Sequence, residues 1–166
     1  SHFHAVNLII HLLNVLLVFY FIRILSAAHP TGGNRLSENH DIPALLCAFL
    51  FAVHPMHVES VTWVSERKDL LYSFFYLTAM IFYLRYMGNK KLWKFYFLSL
   101  GTFLLSLLSK PAAVTLPLIL LLTDYFMGRK PDRIFFVEKI PFFLLSFVFG
   151  YLALVSQDTA GAMDLT

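Results

Sequence analysis

Apolar stretches long enough to cross a membrane divide this chain. The first, residues 5–25, carries a single formal charge, Arg23, and matches the roughly 20 helical residues that span a bilayer core. Only 14% of all residues are charged, whereas a soluble domain carries about a quarter. The surplus of apolar side chains needs lipid to face. The sequence therefore predicts an all-α polytopic transmembrane helical bundle, and we expect no nucleic-acid partner.

About six membrane helices are predicted. The second is short, because Pro55 would break its continuation, and the following residues with Trp63 are expected to lie along the membrane surface or re-enter it. "SKP" alone separates the fourth and fifth spans, so we expect a tight helical hairpin with Pro111 in the first turn of the returning helix. The predicted spans are residues 5–25, 43–53, 70–87, 92–108, 112–127 and 140–155.

The ends of the chain predict a fragment. It opens "SHFHAVNL", without a Met or a signal peptide, and closes just after an apolar run. We therefore expect residues 1–166 to be a single transmembrane domain fragment, truncated at both ends. The lone Cys47 gives no disulfide framework within the chain.

The Lys and Arg residues are unevenly distributed between the two sides that six alternating spans define. Arg67, Lys68 and Lys110 fall on one side, and all the others fall on the opposite side. The positive-inside rule places the larger set in the cytoplasm, where we interpret its members as topology signals only. The smaller set then faces the periplasm or the lumen of the endoplasmic reticulum, where its members either have a function or pair structurally with Glu66 or Asp69. The larger set comprises Arg23, Arg35, Arg85, Lys90, Lys91, Lys94, Arg129, Lys130, Arg133 and Lys139.

A polar stripe runs along the first predicted helix. His4, Asn7, His11 and Asn14 recur at i, i+3, i+7 and i+10, so they share one helical face. Such a face does not suit lipid, so it should contact other helices through hydrogen bonds or line a wet cavity. Both interpretations remain open from the sequence.

The loop after the second span concentrates titratable groups, in "HPMHVESVTWVSERKDLL". Arg67 can bind phosphate oxygens bidentately, and Lys110 supplies a point charge. A hydroxyl acceptor needs a general base, for which Glu59, His54 and His57 are the catalytic candidates. This set of groups suits transfer from a lipid-linked phosphate donor, because interfacial cations stabilise the charge that develops on the leaving phosphate.

Other chemistries compete for the same residues. His54, His57 and Glu59 could ligate a divalent metal such as zinc, although their spacing is not that of zinc proteases. Haem ligation by His4 or His11 with a His of the loop is a second alternative, and a transporter is a third. A non-enzymatic membrane scaffold or subunit, whose loop binds a metal or a partner, is the alternative from another functional class. No cofactor is certain, and we assign no metal ligand.

The motifs resemble those of the transmembrane and tetratricopeptide-repeat O-mannosyltransferases and their bacterial relatives. "FHAVNLIIHLLN" and "LLSKPAAVTLPLILLLTDYF" are similar to the segments that flank the signature loop in that family. Pro111 departs from the pattern, which often has an acidic residue there. The matching residues are His54, Pro55, His57, Glu59, Val61, Trp63, Arg67, Asp69 and Leu71 in the loop, His4, Asn7 and His11 before it, and Ser109, Lys110 and Pro117 after it.

The resemblance implies a GT-C type glycosyltransferase with a periplasmic or lumenal active face. A polyprenyl-phosphate sugar would be the donor, dolichyl-phosphate mannose in eukaryotic members, and a protein Ser or Thr hydroxyl the acceptor. Arg67 and Lys110 would bind the donor phosphate, and Asp69 would orient Arg67. His4, Asn7 and His11 would support the site. The family's principal catalytic acid would lie upstream of this fragment, and its repeat domain downstream.

Overall fold

A computed structural model describes residues 2–28, 39–54, 67–88, 92–130 and 132–161. These residues form helices and no strand, which confirms the all-α class. A 3₁₀ helix, Pro111–Thr115, joins the fourth and fifth α-helices. The α-helices are α1 (His2–Ala28), α2 (Asp41–Val53), α3 (Arg67–Gly88), α4 (Trp93–Ser109), α5 (Leu116–Phe126) and α6 (Arg133–Gly161).

Three helices have both the length and the hydropathy to cross a membrane, within His4–Ala28, Arg67–Gly88 and Arg133–Ser156. The other apolar segments, Asp41–Val53, Trp93–Ser109 and Pro111–Phe126, are shorter. All six predicted spans coincide with helical segments. That as many as six of them cross the membrane stays a prediction.

Helices α2 and α4 each end two residues before a proline. His54 follows α2 with φ −64° and ψ 128°, and Lys110 follows α4 with φ −153° and ψ 131°. A residue before proline avoids the helical region because of steric contact with the proline ring, and Pro55 and Pro111 come next. The same steric effect therefore ends both helices and places His54 and Lys110 directly after them. Pro111 begins the returning 3₁₀ helix, as predicted.

The core lies between α3, α4, α5 and α6. Phe103 and Phe142 are fully buried, with ring centroids 5.6 Å apart. Ser99 and Ser106 of α4 donate to backbone carbonyls of α3, at 2.8 and 3.1 Å. Small hydroxyl residues let membrane helices approach closely and hydrogen-bond across the interface. This packing fixes α4 against α3.

Polar contacts gather at two opposite ends of the helices. The beginnings of α1 and α3 meet the ends of α2 and α4 at one of them, which we call the Lys110 end. At the other, the Lys139 end, Arg23 of α1 binds Asp41 of α2 at 2.8 Å, and Arg85 of α3 donates to Tyr20 of α1. The fold thus separates two polar regions by the length of its helices.

The outer faces of the helices are apolar. Leu16 is 62%, Leu50 64% and Phe147 78% exposed. Side chains of this kind are ordinarily withdrawn from water, and a contiguous apolar surface on a helix bundle suits contact with lipid. The protein is a membrane protein.

Candidate functional site

The polar stripe of α1 is buried against its neighbouring helices. Asn7 and Asn14 are fully buried and His11 is 6% exposed, whereas His4 is exposed. His11 Nε2 lies 3.3 Å from the carbonyl oxygen of Ala52 in α2. Asn14 Nδ2 donates to the carbonyl oxygen of Leu70 in α3 at 3.0 Å. Both contacts are hydrogen bonds between helices, one of the two interpretations that the sequence left open.

Arg67 stands at the first residue of α3, beside this stripe. Its Nε donates to Asn7 Oδ1 over 3.2 Å. Asn7 therefore anchors Arg67 at the beginning of α3.

Lys110 and Asp69 form an ion pair at the same end. Lys110 Nζ lies 2.7 Å from Asp69 Oδ2, and the two side chains are 38% and 26% exposed. Asp69 was predicted to orient Arg67, but its carboxylate accepts from Lys110. Residues two apart on a helix do not face each other, which explains why Asp69 serves the distant lysine. Fold and ion pair bring Arg67, Lys110 and the α1 stripe to one region.

Of the three other predicted catalytic residues, the structure describes only His54. His57 and Glu59 are outside the described residues, as is the surface or re-entrant segment expected around Trp63. His54 is exposed at the end of α2. The roles assigned to these three as acceptor-side or base groups stay predictions.

Among the residues that the structure describes, no three His, Cys, Asp or Glu side chains cluster closely enough to hold a metal ion. His57 and Glu59, two of the candidate ligands, lie outside that range. The ring of His11 is engaged by Ala52 and stacks on Phe51 with centroids 5.9 Å apart.

A second polar cluster, the Lys139 cluster, lies at the opposite end and was not predicted. Lys139 Nζ of α6 lies 2.5 Å from Asp124 Oδ2 of α5. Arg129 Nη2 binds Glu138 Oε2 at 2.6 Å, and its Nη1 lies 3.8 Å from Asp124 Oδ1. Asp124 is fully buried, and Glu138 and Lys139 are nearly so. The two acids and two bases compensate each other's charge.

Tyrosine hydroxyls complete the Lys139 cluster. Tyr83 of α3 donates to both carboxylate oxygens of Asp124, at 3.0 and 2.9 Å, and contacts Lys139. Tyr86 donates to Glu138 Oε1 at 2.7 Å. Because α3, α5 and α6 each contribute, this cluster ties three helices together rather than presenting an open binding site.

A glycine turn places Arg129 in the Lys139 cluster. Gly128 has φ 65°, the left-handed conformation that glycine adopts most easily after a helix. Arg129 N then donates to the carbonyl oxygen of Asp124 at 3.0 Å, which returns the chain toward α5. Burial opposes the charge of Arg129, but the hydrogen bond to Glu138 and the nearby negative charges outweigh it and raise its pKa.

The interpretation of all cytoplasmic-set cations as topology signals only is therefore wrong for Arg129 and Lys139. Both are held in buried ion pairs. One signal in the sequence was available: Asp124 is the single charged residue of "LLTDYF", and Glu138 and Lys139 are the charged pair of "FFVEKIPFF". An ionisable residue within an apolar stretch usually has a specific partner.

Comparison with known proteins identifies relatives. Human protein O-mannosyl-transferase TMTC4 is 38% identical over 82 residues, covering 49% of this chain and 11% of the relative. Human protein O-mannosyl-transferase TMTC1 is 36% identical over 84 residues, covering 51% of this chain and 8% of that protein. Drosophila melanogaster protein O-mannosyl-transferase Tmtc3 is 34% identical over 139 residues, which cover 75% of this chain and 15% of that protein.

All three relatives are named as protein O-mannosyl-transferases. The chain is a relative of the TMTC family of protein O-mannosyl-transferases, which confirms the resemblance found in its motifs. It spans only a small part, between 8% and 15%, of the length of the relatives named above. No family model matches the chain. No solved structure matches it either.

Proposed function

We propose that this chain is part of the membrane domain of a glycosyltransferase that moves a sugar, mannose by analogy with its relatives, from a polyprenyl-phosphate donor to a protein Ser or Thr hydroxyl. The reaction takes place at the periplasmic or lumenal face, in a bacterial inner membrane or the endoplasmic reticulum. Its partners are the donor lipid, the acceptor protein and the surrounding membrane lipid.

The observation that carries the proposal is the meeting of Arg67 and Lys110 at one end of the bundle. They are 43 positions apart in the sequence, yet the contact between Lys110 and Asp69 brings Lys110 to the first turn of α3, where Arg67 stands. With Lys68 they give this end more positive than negative charge among its described residues. A cationic helix end at a membrane interface suits an anionic lipid head.

In the proposed mechanism each side chain has one task. Arg67, anchored by Asn7, binds the phosphate that leaves the sugar through its planar, positively charged guanidinium. Lys110 adds a positive charge, and Asp69 holds it in position. Glu59, with His54 and His57, shapes the acceptor side and assists the base that takes the proton from the acceptor hydroxyl as that oxygen bonds to the sugar carbon. The phosphate departs on its lipid with the bonding electron pair.

The donor class is the first test. Full-length protein in lipid nanodiscs should transfer mannose from dolichyl-phosphate mannose to a Ser/Thr-containing peptide, with the product detected by mass spectrometry. A nucleotide sugar should give no product, because it has no lipid to place its phosphate at the interface. Transfer from the nucleotide sugar in the absence of any lipid-linked donor would contradict the proposal.

A further inference from the structure

An apolar groove begins directly beside Lys110. The 3₁₀ helix and the second half of α6 line it, and its volume is about 580 Å³. Pro111 and Ala112, which follow Lys110 in the chain, form one wall, and Ser146, Phe147, Gly150 and Ala153 belong to the other. We call this the Gly150 groove. Its lining begins at Pro111, the residue after the proposed phosphate ligand Lys110.

The groove lies at membrane depth. Arg133–Ser156 has the length and hydropathy of a membrane span, and its beginning is fixed at the Lys139 end by the ion pair of Lys139 with Asp124. Its second half therefore approaches the Lys110 end. From Ser146 to Ala153 a helix rises about 10 Å. The groove thus runs from the cationic end into the apolar layer.

The walls of the groove and its position beside the Lys110 end together suggest what it binds. Apolar walls suit a hydrocarbon chain, and the neighbouring cations of the Lys110 end suit a lipid whose head carries a negative charge. Gly150 and Ala153 keep the α6 wall of the groove low, because neither carries a large side chain. A Cβ added at Gly150 would already be in ordinary contact with Val114 Cγ1, at 3.8 Å, so a larger side chain there would extend into the groove.

We propose that the Gly150 groove holds the first isoprenoid units of a polyprenyl phosphate whose head lies at Lys110. The inference rests on the proposed function and extends it, since it assigns the lipid chain of the donor to a particular surface of α6. Bulk phospholipid or another segment of the protein would be alternative occupants.

Photolabelling tests the groove directly. A polyprenyl phosphate with a diazirine in its first isoprenoid units is bound to the full-length protein in nanodiscs and activated by light. Labelled residues are then located by mass spectrometry. We expect labels on residues 146–154 of α6 and on residues 111–112, and about a tenfold loss of label in Gly150→Leu, which fills the groove.

Matched variants control for folding and for position on the helix. Gly150→Ala adds only an ordinary contact with Val114 and should keep its label. Leu152→Trp lies on α6 outside the groove lining and should also keep it. Excess unlabelled polyprenyl phosphate should abolish labelling, whereas polyprenol or phosphatidic acid at the same concentration should not.

The outcomes separate this inference from the proposed function. Labels located on other helices, an unchanged yield in Gly150→Leu, or equal competition by phosphatidic acid would overturn the groove assignment even when sugar transfer is normal. Labels at residues 146–154 in a protein that transfers no sugar would uphold the groove and contradict the proposed function.

Discussion

Arg67→Ala in the full-length protein is expected to lower kcat/KM for transfer from dolichyl-phosphate mannose by about tenfold or more. Its planar guanidinium is the group at the Lys110 end that can bind a phosphate through two hydrogen bonds. Arg67 Nε donates to Asn7 Oδ1 at 3.2 Å, which holds the guanidinium in position. Without the guanidinium, less positive charge stabilises the negative charge that develops on the departing phosphate. Initial rates at several donor concentrations measure the change.

Lys68→Ala is the matched control for this variant. Lys68 is the next residue along α3 and is exposed, so its removal lowers the local charge by the same amount without touching the anchored guanidinium. We expect less than a threefold effect, the order expected for an exposed charge screened by salt. Equal losses of kcat/KM in the two variants would mean that Arg67 contributes only its positive charge and no specific contact with the phosphate.

Lys139→Met is expected to lower the free energy of unfolding by about 3–5 kcal/mol, the cost typical of leaving a buried charge without its partner. Asp124, fully buried, would lose its contact at 2.5 Å. Adding Asp124→Leu to the same protein should recover most of that loss, because a buried ion pair replaced by apolar side chains is often close to neutral. Denaturant titration in mixed micelles measures all three proteins.

Lys130→Met provides the comparison for this cycle. Lys130 lies in the connection between α5 and α6, next to Arg129 of the Lys139 cluster, but is exposed, so we expect a change below about 0.5 kcal/mol. A double variant no more stable than Lys139→Met alone would mean that the Lys139 cluster does not act through charge compensation.

The helices could be predicted from the sequence because their signals are local. The predicted span 92–108 differs by one residue at each end from Trp93–Ser109, since Pro111 and the run of apolar residues leave little choice. The α1 stripe was readable from its period alone, and Asn7, His11 and Asn14 are indeed buried.

Pairings between distant helices could be predicted only as open alternatives. Asp69 binds Lys110, 41 positions away, and nothing local distinguishes that partner from Arg67, two residues before Asp69. The Lys139 cluster likewise needs Tyr83 of α3 to meet Asp124 of α5, which depends on packing rather than on periodicity. Its Lys and Arg also satisfy the positive-inside pattern, so a topological explanation was sufficient until the structure showed their partners.

The most direct test of the central claim is donor binding by the full-length protein when Arg67→Ala and Lys110→Ala are combined. The claim is that these two cations at one end of the bundle bind a lipid-borne phosphate. Equilibrium binding of fluorescent polyprenyl phosphate in nanodiscs should be saturable in the wild type and weakened at least about a hundredfold in the double variant, two tenfold losses for two charged hydrogen-bond donors. Equal affinity in the two proteins would contradict the claim.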